Sequence, residues 1–220
     1  MKNNKFVVFF DLDDVFYLTG QYINQNIIKH LRDKQELDEV DRIMMDHLHI
    51  PKQDFLTLRE DLERINPELA KKIDDIVWEH GLRKNGFIIA APFDPEIRQL
   101  FIDLVNAGRV EVGICTHRKS IDPQAEMTTR ALIRDLNGTP VKHIYVLDRK
   151  THPNKLDVLQ QFHPNFVLVD DNPIYGDEVL DTDSRLIIWD KQHRIPRYVN
   201  QRSADNIIKL QKHLTDLIYR

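Results

Sequence analysis

The stretch FVVFFDLDDVFY, residues 6–17, joins an unbroken apolar run to three aspartates within four positions. Phe6 to Phe10 has the length of a strand and no polar alternation, so it reads as a strand covered on both faces, as parallel sheets require. The run stops at Asp11. In an extended segment Asp11 and Asp13, two positions apart, point to the same side. Carboxylates held together repel and need a shared proton or a cation. A hard divalent ion such as Mg²⁺ satisfies them through oxygen ligands.

Comparable apolar runs recur at Val110 to Cys115, His143 to Leu147, Phe166 to Val169 and Arg185 to Trp189. Helical patterns separate them. Asp94 and Asp122 each precede a proline, so each can cap a helix whose first position is Pro95 or Pro123. The helix from Pro95 places Ile97, Leu100, Phe101, Leu104 and Val105 on one face and runs to Gly108, a suitable left-handed cap. A second is predicted from Pro123 to about Asn137-Gly138, a third from near Asn154, and a closing amphipathic helix over roughly Ala204 to Ile218. Alternating strands and helices predict a doubly wound α/β fold with a five-stranded parallel sheet.

Residues 17–92 break the alternation. They hold candidate helices at Tyr22 to Arg32, Glu36 to His49, Asp54 to Ile65 and Glu68 to His80, too much for a crossover. The expected organisation is an α/β core formed by residues 1–16 and 93–220, with a helical domain over residues 17–92.

Hydrophobic residues make up 41% of the 220 residues and charged residues 30%, the balance of an ordinary globular chain. A net charge of -4 argues against general attraction to nucleic acid or an anionic membrane. The lone Cys115 lies in an apolar run, has no internal disulfide partner, and suits a reducing cytoplasm. The opening apolar run is too short for a signal-peptide core, and no stretch approaches the ~20 residues needed to span a bilayer. A cytoplasmic protein is expected.

Two more strand ends are polar. VEVGICTHRKS, residues 110–120, places Thr116 and a cluster of donors, including His117, past a buried run. FVLVDDNP, residues 166–173, ends another in Asp170 and Asp171, and Lys155 opens a predicted helix after THPN. In open α/β sheets ligands collect beyond the carboxyl ends of the strands. A single aspartate after a strand is usually a turn or a cap, and a lone threonine or lysine is usually structural. Their order along one sheet argues for a shared site that holds phosphate and metal.

These residues resemble the haloacid dehalogenase (HAD) superfamily of phosphohydrolases, whose pattern is an apolar strand with DxDx[TV], a strand-end Thr or Ser, a Lys, and a strand-end acidic pair. The matching positions are Asp11-Leu12-Asp13-Asp14-Val15, Thr116, Lys155 and Asp170-Asp171, and the resemblance spans about residues 6–190. Asp14 stands where that family most often has glycine. The resemblance implies a Rossmann-like sheet of order 3-2-1-4-5 with an all-helical cap inserted after the first strand. It implies Asp11 as nucleophile and Asp13 as general acid and base. Mg²⁺ would be held by Asp11, the Asp13 carbonyl, Asp170 and Asp171. Thr116 and Lys155, with His117 as a further candidate, would bind phosphate.

A helical cap in this position is similar to that of the small 5'-nucleotidases and deoxyribonucleotidases, which makes a nucleoside monophosphate the expected substrate. Phe16 and Tyr17 are candidates for stacking on a base, although aromatic residues at such a junction more often pack in the core. Two other readings stand beside it. The basic stretch KQHRIPRYVNQR, residues 191–202, suggests a phosphatase acting on a nucleic-acid 3' end. A non-catalytic phosphate-binding module is the alternative from another class, because fold alone does not establish activity.

Overall fold

The computed structural model describes residues 5–23, 25, 62–82, 91–118, 141–172, 185–191 and 202–219. The chain divides into two compact units, residues 1–17 with 93–220, and residues 18–92. The second contains a short helix α1 (Thr19–Tyr22) and the long α2 (Pro67–Leu82). Asn66 precedes α2, and its side-chain oxygen accepts from Leu69 N–H at 3.1 Å. Of the other helices expected there, residues 22, 23 and 25 at the start of the Tyr22 to Arg32 candidate and residues 62–65 at the end of the Asp54 to Ile65 candidate are described, and they are helical.

The first unit holds β1 (Val7–Phe10), α3 (Pro95–Ala107), β2 (Glu111–Thr116), β3 (His143–Val146), α4 (Lys155–Phe162), β4 (Phe166–Asp170), β5 (Leu186–Trp189), β6 (Arg202–Ala204) and α5 (Ile207–Ile218). All six strands are parallel, in the order β3-β2-β1-β4-β5-β6. The expected α/β class and the 3-2-1-4-5 order are present, with a sixth strand added at the edge. Arg202–Ala204 spans three residues, too few to carry a period, and Ala204 therefore belongs to a strand and not to the last helix, which begins after the Asn206 cap. The helix expected from Pro123 and most of the basic stretch 191–202 lie outside the described residues.

β1 and β4 are buried at every position. Side chains alternate across a strand. Val7 and Phe9 accordingly join Cys115, Leu156, Leu159, Phe166 and Leu168 in one core layer beneath α4. Phe10 points to the opposite face, where its ring meets Phe101 of α3 at 5.8 Å between centroids. Each large apolar side chain buried in this way contributes roughly 1.5–3 kcal/mol. Gly113 of β2 lies opposite Phe9 in the ladder, and a Cβ there would fall onto Phe9 Cε1 and come within 2.6 Å of Cδ1. Only glycine lets the Phe9 ring lie across that strand.

The entry to α3 follows the sequence expectation. Asp94 caps it by accepting from Glu96 N–H at 2.9 Å and Ile97 N–H at 3.2 Å, Pro95 occupies the first turn, and Gly108 closes the helix at φ 65°. The buried Asp94 also takes a hydrogen bond from Lys191 Nζ at 2.8 Å, which ties the helix entry to the end of β5. No helix among the described residues is long and apolar enough to cross a membrane.

Candidate active site

Three adjacent strands deliver the first three groups. Thr116 is the last residue of β2, Asp170 the last of β4, and Asp11 follows β1 between them, its N–H bonded to the Val169 carbonyl at 2.9 Å. From β1 the chain winds outward to β2 and β3, then crosses back to β4 on the other side. Asp11 thus sits where the strand order reverses, the usual ligand crevice of an open α/β sheet.

Asp11, Asp170 and Asp171 each offer an oxygen within 4.8 Å of the others. Lys155, held at the start of α4 by the Asn154 cap, reaches into the same place. Its Nζ lies 2.7 Å from Asp170 Oδ2 and 3.0 Å from Asp11 Oδ1, and all three side chains are buried. Burial alone would lower the Lys155 pKa, but Asp11 and Asp170 outweigh it and hold the ammonium above its ordinary value. Burial pushes the Asp170 carboxyl well above the usual carboxylate range, with Lys155 opposing and Asp11 and Asp171 adding to the rise. Three carboxylates face one ammonium within this cluster, a charge balance that a divalent cation completes.

Asp11 Oδ1 makes the case sharper. It is fully buried and has no hydrogen-bond partner. Its near neighbour is Lys155 Nζ, 3.0 Å away as an ion pair. A buried oxygen left in this condition costs about 1–3 kcal/mol, more when charged. The oxygen-rich donor set, in which this atom has no hydrogen bond, fits Mg²⁺.

Asp13 has a different partner. Arg118 Nε donates to Asp13 Oδ2 at 2.9 Å and Arg118 NH2 to Oδ1 at 2.7 Å, a fork pairing with a fully buried guanidinium. Burial opposes the Arg118 charge, and the neighbouring Asp13 more than restores it. Asp14, in the place where glycine is usual, has φ 56°, the left-handed conformation that aspartate tolerates better than most residues. The turn it makes lets the chain bond back, with Phe16 and Tyr17 N–H both reaching the Leu12 carbonyl, at 3.0 and 2.7 Å.

One expectation changes, and one open alternative is decided for core packing. His117 Nε2 lies 2.8 Å from the His152 carbonyl, so that nitrogen carries the proton and donates it. Burial, assisted by Lys155, lowers its pKa to about 3, so His117 is neutral and brings no positive charge to a phosphate. Phe16 and Tyr17 are both buried, and their rings are used internally. Phe16 packs edge-on to Phe93 and Phe101, while Tyr17 stacks on Phe93 at 4.7 Å and carries the Arg118 guanidinium 5.1 Å from its centroid. Neither ring offers a platform for a base. Cys115 is buried in β2 as expected, and burial pushes its thiol far up, which keeps it from acting as a nucleophile. Arg118 is the residue that local patterns did not single out as a partner of Asp13. The available signal was a cation two positions beyond Thr116, in a chain whose other strand ends are acidic.

No protein-family model matches this sequence, and no curated protein matches it. Solved structures do. A Clostridium difficile protein provisionally described as a phosphatase superposes with a TM-score of 0.53 at 14% identity, over 99% of this chain and 100% of its own. The Bacillus subtilis protein YfnB, provisionally described as a HAD hydrolase and solved with magnesium, superposes with a TM-score of 0.50 at 12% identity, over 97% of this chain and 100% of its own. At these identities the likeness is one of architecture, and the chain has the Rossmann-like fold of the HAD hydrolases.

Proposed function

We propose that this protein is a Mg²⁺-dependent phosphate monoester hydrolase working through an aspartyl-phosphate. The observation that carries the reading is Asp11 Oδ1, a buried oxygen without a hydrogen bond, beside Lys155 and the acid pair Asp170-Asp171. An Asp11 oxygen attacks phosphorus, the new O–P bond forms as the ester P–O bond breaks, and the departing oxygen takes a proton from Asp13. Water then attacks phosphorus, its proton passes to Asp13, and the bond to Asp11 breaks to release phosphate. Lys155 and the Thr116 hydroxyl stabilise the charge on the transferring oxygens. Mg²⁺, held by Asp11, the Asp13 carbonyl, Asp170 and Asp171, would neutralise phosphate charge and lower the repulsion that the nucleophile meets. The magnesium bound to YfnB, which shares the fold, is consistent with that choice.

Residues 18–92 are proposed as a helical cap that selects the ester. A nucleoside monophosphate remains the first substrate to test, on the position of this insertion alone, since Phe16 and Tyr17 no longer support base stacking. Phosphate release from nucleoside monophosphates, sugar phosphates and 3'-phosphorylated oligonucleotides should be compared with Mg²⁺ and with chelator. Metal-dependent release from at least one class is expected. A well-folded protein that releases none would overturn the enzyme reading and favour the phosphate-binding module.

A further inference from the structure

We infer that Arg118 is the positioning residue that fixes Asp13 for proton transfer, and that it serves the reaction through Asp13 and not by binding phosphate. This rests on the proposed phosphatase reading. The two residues lie 105 positions apart in the chain and meet through one guanidinium edge, Nε and Nη2, and both carboxylate oxygens. A fork-to-fork pair specifies direction as well as distance, which a lysine ammonium cannot do.

The guanidinium is itself held. It is fully buried, lies 5.1 Å over the Tyr17 ring, and Tyr17 in turn stacks on Phe93, whose ring carries Arg98 at 5.2 Å. Tyr17 also bridges in the backbone to Asp13 on one side and Phe93 on the other. The Asp13 backbone and the Arg118 side chain are therefore both held against one residue, Tyr17. Asp13, 30% exposed in its side chain, remains reachable. An ionised carboxylate has about four lone-pair sites. Arg118 uses two of them, one on each oxygen, and it is from the exposed part of the carboxylate that Asp13 accepts a proton from attacking water. In that step the water oxygen bonds to phosphorus, its proton goes to Asp13, and the phosphorus bond to Asp11 breaks.

An aryl phosphate separates this role from phosphate binding, because nitrophenolate leaves without needing a proton. With p-nitrophenyl phosphate and Mg²⁺, the first turnover reports attack by Asp11, and the steady state reports hydrolysis of the aspartyl-phosphate. Arg118→Met is expected to give a burst of about one nitrophenolate per enzyme at a rate within about threefold of wild type, followed by a steady state slowed roughly 10²-fold, the usual scale of general-base loss. Asp13→Asn should show the same pattern. Arg118→Lys, which keeps the charge in the buried site, should keep the burst and recover only part of the steady state. An equal slowing of burst and steady state in both Arg118 variants, or a raised KM with unchanged kcat, would overturn the positioning role. If wild-type enzyme and Asp13→Asn release no nitrophenolate, the phosphatase reading falls and this inference with it.

Discussion

Lys155 Nζ sits 2.7 Å from Asp170 Oδ2 with both side chains buried, so the first residue of α4 and the last of β4 are joined by an ion pair inside the protein. Breaking such a pair by removing one partner costs about 3–5 kcal/mol, because the other charge is left buried. Lys155→Met is expected to lower Tm sharply in chelator. Mg²⁺ should recover part of that loss and should raise the wild-type Tm as well, since a ligand bound only by the folded state stabilises it. Thermal scans with Mg²⁺ and with chelator read both effects. A Tm indifferent to Mg²⁺ in wild type and variant alike would contradict the metal assignment.

His117 gives a pH dependence with a definite sign. Its folded pKa is lowered to about 3 by burial, against about 6.5 when unfolded. Between those values the unfolded chain binds one more proton than the folded one, so stability is full above about pH 6.5 and is lost as pH falls through the window. At pH 5 this group alone should cost about 2 kcal/mol. Denaturant unfolding at pH 7 and pH 5 is expected to show the loss, with a smaller loss in His117→Gln. Equal losses in the two proteins would show that another group carries the acid sensitivity.

Asp14 at φ 56° occupies backbone space that glycine enters without strain. Asp14→Gly should change stability by no more than about 1 kcal/mol, the relieved strain offsetting glycine's extra freedom when unfolded. Asp14→Val should destabilise by more than that, because a β-branched residue resists this conformation. Urea midpoints for the two variants test the order, and a Val variant as stable as the Gly variant would refute it.

The parts of the molecule that were legible in the sequence are those specified within a few residues of one another. The fully apolar runs marked β1 and β4, and Asp94-Pro95 with Gly108 bounded α3. The strand-end acids Asp11 and Asp170 were legible because apolar runs stop at them. β6 escaped because three residues carry no period, and it forms only through pairing with β5. The commitment of Arg118 to Asp13 and of His117 to the His152 carbonyl also escaped, because each joins residues far apart in the chain and neither end marks its partner. Core packing is the favoured reading for Tyr17 at an insert junction, but its ring partners Phe93 and Arg118 were not legible, since they lie in distant segments.

The most direct test is to catch phosphate on Asp11. Enzyme quenched during turnover and reduced with borohydride should carry homoserine at position 11, and Asp11→Asn should keep its fold and lose turnover by at least about 10³-fold. A reduced residue elsewhere, or wild-type turnover in Asp11→Asn, would contradict nucleophilic attack by Asp11.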